Sequence, residues 1–169
     1  SLPLSGAASD VDIVPLEVTD ESLLGEIYHL QITEKDIWVH HYKDKRICRF
    51  SRSGKYLNKV GKIGQGPGEF IQLSDFFIDE GRREIYIISA SRGVFVYDFD
   101  GNFKRQPTKT IVETMFGSVF NQFMIYNNHF FILQNLPLYR EIPKDSLWSL
   151  ALVDSSYQKR KIFKNPVHI

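Results

Sequence analysis

Gly61-Lys62-Ile63-Gly64-Gln65-Gly66-Pro67-Gly68-Glu69-Phe70 is the stretch whose reading decides the fold. It holds four glycines and one proline in ten residues, between two runs of alternating apolar and polar residues. Glycine loses the most backbone freedom on folding and proline has no N–H to donate, so this is no helix or strand interior. It reads as a tight connection of specific shape between two sheet elements. A phosphate-cradling loop is the competing reading. A Walker loop needs Gly-Lys-Ser/Thr opening a helix, and this stretch ends in Glu-Phe ahead of a strand. The dinucleotide fingerprint Gly-x-Gly-x-x-Gly fails as well, since the glycines fall at 64, 66 and 68 with no helix after them. The connection is therefore structural, carried by Gly64, Gly66, Pro67, Gly68, Glu69 and Phe70. Glu69 is suited to cap loop amides, and Phe70 to wedge between the sheets on either side.

Outward from this stretch, one pattern of four short strands recurs. The first copy reads as strands over 26–32, 37–42, 46–51 and 56–60, and the second over 75–79, 84–89, 93–99 and 103–105. A third copy follows at 122–126, 129–133, 147–154 and 157–163, stretched by an insertion over 134–146. The register repeats: Gly54 and Gly101 lie 47 residues apart, Trp38 and Tyr86 48, Tyr86 and Phe131 45. Four-strand repeats of this length are the pattern of β-propeller blades. The period-2 alternation and glycine turns exclude helical repeats of similar length. A β-sandwich is the alternative, but it does not predict matching Ser53-Gly54-Lys55-Tyr56 and Asp100-Gly101-Asn102-Phe103 turns one period apart. The expected fold is all-β: a partial propeller over 12–169 with blades at 26–61, 73–107 and 119–165. Residues 1–11 would form a flexible N-terminal segment. Residues 12–18, with Pro15 suited to an edge, would form a closing strand.

Composition narrows function by exclusion. In 169 residues there are 21 basic and 20 acidic side chains, so no electrostatic footprint for nucleic acid exists. The triplet Lys159-Arg160-Lys161 sits in an alternating segment and reads as a solvated strand face. The single cysteine, Cys48, excludes an internal disulfide and reads as a small buried hydrophobe. No Cys/His group has zinc spacing, and no apolar run approaches the ~20 residues that span a bilayer. Residues 1–9 are small and polar, like a trimmed linker or the start of a mature chain.

The segment from Phe50-Ser51-Arg52-Ser53-Gly54-Lys55-Tyr56 through the glycine-rich junction to Val94-Phe95-Val96-Tyr97-Asp98-Phe99-Asp100-Gly101-Asn102-Phe103 resembles the NHL-like six-bladed β-propellers. More narrowly, it is similar to the propeller proteins of Bacteroides and relatives, often exported lipoproteins. Val14-Pro15-Leu16-Glu17 resembles the way those chains begin. The resemblance covers about residues 12–165, and two features depart from it. The junction after the second copy lacks the glycine-proline motif, and the third copy lacks the Asp-Gly turn. Six blades of ~45 residues need ~270, so this chain would supply three. It would then be a fragment of a longer protein or half of a homodimer that closes a six-bladed ring.

By blade topology, one end of the ring gathers the loops around 42–46, 89–92, 134–146 and 65–69. Candidate ligand or partner contacts there are Tyr42, Lys43, Arg46, Arg92, Tyr139, Arg140 and Glu141, since aromatic and arginine side chains on exposed loops make good anchors. The insertion could equally cover a sheet edge. His29 lies on a candidate innermost strand, while His40 and His41 point to opposite faces and cannot share one metal. No catalytic residue set, metal set or cofactor motif emerges from spacing. The expected function is a non-catalytic binding module for a protein, peptide or glycan, and the resemblance places it at the cell envelope, periplasmic or surface-exposed. The rival is a propeller enzyme, a lyase or hydrolase with its site at the channel mouth. A cluster of histidines and carboxylates there would favour the rival.

Overall fold

Short alternating runs separated by turn-forming residues can only pair with their neighbours, and they do so as successive hairpins. The computed structural model describes residues 10–41, 44–89, 92–108, 121–126, 129–134, 150–153 and 159–163. Among them are twelve strands and no helix: β1 (Ile27–Ile32), β2 (Asp36–His41), β3 (Arg46–Ser51), β4 (Tyr56–Val60), β5 (Asp75–Asp79), β6 (Glu84–Ser89), β7 (Gly93–Asp98), β8 (Phe103–Thr108), β9 (Asn121–Tyr126), β10 (His129–Gln134), β11 (Leu150–Val153) and β12 (Lys159–Phe163). They form three four-stranded antiparallel sheets, β1-β2-β3-β4, β5-β6-β7-β8 and β9-β10-β11-β12. The fold is all-β. The first strand of each sheet lies beside the first strand of the next, β1 against β5 and β5 against β9.

The four-strand units expected from the sequence are present as these sheets. No sheet closes on itself, and successive sheets share no ladder among the described residues. One apolar seam joins the first two sheets. It sets Trp38, Ile47 and Val60 against Phe76, Ile78, Ile85, Ile87, Phe95, Tyr97 and Phe99, all buried. Arg49 crosses the seam. Its guanidinium lies over the rings of Trp38 and Phe99, bonds Asp36 Oδ2 at 2.9 Å and donates to the Phe99 carbonyl at 3.2 Å. The opposite face of the first sheet carries a second buried group, Ile37, Val39, Cys48 and Phe50, with Leu16 and Leu24 packed on it.

The glycine-rich junction sits at one edge of the seam. Phe70 is fully buried, with its ring against Phe95 and Tyr97. The loop folds back so that Phe70 N–H donates to Lys62 O at 3.0 Å and Gly64 N–H to Phe70 O at 3.1 Å. Glu69 accepts from Gly66 N–H at 2.9 Å and pairs with Lys62 at 2.7 Å. Tyr97 donates its hydroxyl to the Gly68 carbonyl. Gly68 has φ +74°, and a Cβ there would lie 2.5 Å from the Phe103 ring, so both conformation and space demand glycine.

Residues 12–18 are not among the twelve strands of the single chain. Glu17 binds the β3–β4 turn. Glu17 donates its N–H to Gly54 O at 2.8 Å and accepts from Tyr56 N–H through its carboxylate at 2.8 Å. Gly54, at φ +86°, approaches Pro15 O so closely that a Cβ would stand 1.9 Å from it.

Phe70→Ala should cost about 3–5 kcal/mol, because the ring fills the seam at its junction with the loop. Urea unfolding followed by circular dichroism measures this. A loss under about 1 kcal/mol would show that the loop does not anchor the two sheets.

Candidate functional site

Several loops share the end of the sheets at which β1 and β5 begin. Arg92 in the β6–β7 loop donates to Glu69 O at 2.8 Å, and its carbonyl accepts from Gln106 Nε2. Lys45 reaches the Ile71 carbonyl at 3.4 Å. Arg46 bonds the Leu23 carbonyl at 2.9 Å and pairs with Asp44 at 3.1 Å. Arg46 and Arg92, proposed from sequence as ligand contacts, thus direct donors to the protein's own backbone and hold the loops in place. Tyr42, Lys43, Tyr139, Arg140 and Glu141 lie outside the described residues, as does most of the insertion. The sequence-nominated residues are therefore not brought together as a site among the described residues.

A different group is brought together there. His29 on β1 donates Nδ1–H to Asp75 Oδ1 on β5 at 2.7 Å, since a carboxylate can only accept. Asp75 Oδ1 also accepts from Phe76 N–H at 2.9 Å. In the neutral ring His29 Nε2 is then an acceptor, and it has no partner among the described residues. The His29 side chain is 39% exposed and that of Asp75 10%. Tyr28, half-exposed beside a register shift at the start of β1, stands edge-on to His40 with ring centroids 5.3 Å apart. His40 also meets the edge of Phe76.

Period-2 alternation separates His40 from His41. His40 shares the face of Trp38, towards the second sheet. His41 faces the other way, where Nε2 accepts from Gly25 N–H at 2.8 Å and Nδ1 lies 2.9 Å from Asp44 Oδ2. His40 is 1% exposed and neither ring nitrogen has a hydrogen-bond partner among the described residues. Burial pushes its pKa down to about 4; Asp75 pulls it up, and His29 and His41 push it further down. No three His, Cys, Asp or Glu side chains among the described residues converge as a metal site. Sequence inspection noted His29 as a channel-facing candidate but missed its partner. Asp75 lies 46 residues away, and pattern alone does not pair side chains across two sheets.

Among known proteins, a family profile described as "Domain of unknown function (DUF4934)" matches residues 1–167. No curated protein matches. Among solved structures, the candidate exported protein BF0058 of Bacteroides fragilis NCTC 9343 is similar, with TM-score 0.69 and 20% identity over 92% of this chain and 42% of that one. A member of the DUF4221 family from Bacteroides vulgatus ATCC 8482 has TM-score 0.62 and 14% identity over 91% of this chain and 47% of that one. The chain thus spans under half the length of these structures, and at such identity the likeness concerns the fold alone. These findings correct the resemblance to NHL-like propellers, since the matching profile is DUF4934. The Gly-Pro-Gly-Glu-Phe junction that suggested NHL-like ancestry solves a local problem of turning between sheets, and local geometry does not specify family.

His40 folds as a neutral ring with its pKa near 4, against 6.5 for the ordinary side chain. Between those values the folded chain binds fewer protons than the unfolded one. Stability is complete above pH 6.5 and falls as pH drops towards 4, by about 2–3 kcal/mol. His40→Leu should flatten the pH dependence of urea unfolding between pH 7 and 4. An unchanged slope in the variant would mean that His40 is not held neutral.

Proposed function

The chain belongs to the DUF4934 family, and on that premise we propose that it is a non-catalytic binding module for a protein, peptide or glycan at the bacterial cell envelope. The observation that carries this reading is the uncommitted bonding capacity where β1 and β5 begin. His29 Nε2 has no partner among the described residues and its side chain is partly exposed, while the nearby arginines are tied to backbone carbonyls. The likeness to a candidate exported protein supports the envelope location.

In finer architecture, the three sheets are propeller blades with β1, β5 and β9 innermost. Their adjacency supports this, as does the presence of buried side chains on both faces of the first two sheets. The exposed Leu30 and Ile32 continue the buried face of Ile37 and Val39, to which they are paired across strands. A second copy of the chain would cover them and complete a six-bladed ring. Light scattering after gel filtration should then give twice the chain mass. A compact monomer would rule the homodimer out.

A propeller enzyme, lyase or hydrolase, is the second reading, and the His29–Asp75 pair favours it. A carboxylate that orients an imidazole with its other nitrogen outward is suited to proton abstraction. Incubation with a mixed set of envelope glycans and peptides separates the two readings. Mass spectrometry of the bound fraction should recover ligands unchanged. Shortened or unsaturated products, absent with His29→Ala, would establish the enzyme instead.

A further inference from the structure

The strand registers expose a pattern that motif spacing did not. In each sheet the second strand has six residues, and its fifth is His40 in β2, Ile88 in β6 and Leu133 in β10. The residues paired with them on the first strands are His29, Asp75 and Gln122. One register position on three neighbouring first strands therefore carries a polar hydrogen-bonding residue, at the end where the loops gather. From this we infer that the starts of β1 and β5 form one binding site, and that its ligand is a neutral saccharide. The inference rests on the binding-module reading and names its ligand class.

Chemistry selects the class. His29 Nε2 and Asp75 Oδ2 are acceptors without partners among the described residues. Two acceptors grouped with a half-exposed aromatic ring, Tyr28, suit vicinal hydroxyls and the apolar face of a sugar ring. The Asp75 carboxylate disfavours anionic ligands, and the arginines described at this end, Arg46 and Arg92, are tied to backbone carbonyls. An extended peptide would need a free strand edge. The facing edges of β1 and β5 are instead bridged: His29 meets Asp75, Gln31 Oε1 accepts from Ile78 N–H at 3.2 Å, and Glu80 accepts from Glu34 N–H at 2.9 Å.

A second observation points to a ligand. Buried polar side chains are nearly always hydrogen-bonded, yet both nitrogens of His40 are unpaired among the described residues, behind the Tyr28 ring. A hydroxyl entering beside that ring would supply the missing partner.

The test is a glycan array carrying neutral, uronic-acid and sialylated oligosaccharides, probed with the full chain, together with an array of envelope-derived peptides. Neutral glycans should be bound in preference to acidic ones. Tyr28→Ala and His29→Ala should each weaken that binding at least ten-fold while the melting temperature moves by only a few degrees. Asp75→Asn, which keeps the shape, should relax discrimination against acidic glycans. Binding of peptides without glycans would overturn the saccharide assignment and leave the binding module standing. Glycan binding unaffected by Tyr28→Ala and His29→Ala would overturn the site. Release of cleaved glycan would overturn the non-catalytic reading while keeping the ligand class.

Discussion

Each sheet in this chain is too thin and too apolar to stand alone. Four short strands bury almost no side chain against one another, because neighbours in a sheet stand side by side. Trp38 and Ile47 leave one face of the first sheet, and Val39, Cys48 and Phe50 leave the other. Both faces must therefore be covered, and the seam against the second sheet is the largest cover described. Everything else at the first sheet follows from where that seam lies. The junction loop must deliver Phe70 into it, β1 must come alongside β5, and residues 16–24 are left to cover part of the far face.

Charged groups that enter this packing are all paired, with a division of labour. Glu84, 4% exposed, accepts from Arg105 at 2.6 and 2.8 Å, from Lys104 at 2.7 Å and from the Tyr86 hydroxyl at 3.0 Å. The Arg105 bonds hold its pKa down at about 2 against the opposing effect of burial, so it stays ionised across the physiological range. Arg49 is matched by Asp36 within the first sheet and by aromatic faces across the seam. Such groups are held by their partners within the packing. His40 differs from them, a buried polar ring with no hydrogen-bond partner among the described residues. Its cost is tolerable only because it stays neutral.

The strands were legible because each level of signal agreed. Alternation, turn residues and spacing all pointed to four-strand units, and Gly54 and Gly101 sit at positive φ in corresponding turns as their one-period separation implies. At 12–18 alternation alone does not say whether a ladder partner exists, and within this chain Glu17 spends its bonds on a turn. The family was misread because a junction motif reports a local turn. The site was the least legible part. Arg46 and Arg92 looked like ligand anchors in sequence because nothing in a linear string reveals that carbonyls of Leu23 and Glu69 lie within their reach.

The contrast between those arginines and His29 explains where a site can arise in a stack of sheets. Long cations at loop ends find backbone carbonyls easily, because loops expose many of them, and they are consumed in ordering the loops. A histidine at the start of a first strand has few carbonyls nearby, since its own backbone neighbours belong to ladders. It finds instead whatever the next sheet offers at the same height, and the repeat sets that height. A repeated architecture thus brings unlike residues to like positions without local sequence proximity. His29 and Asp75 share a site because their strands share a register, and both rest on Phe76 of the seam below, through its ring and its N–H.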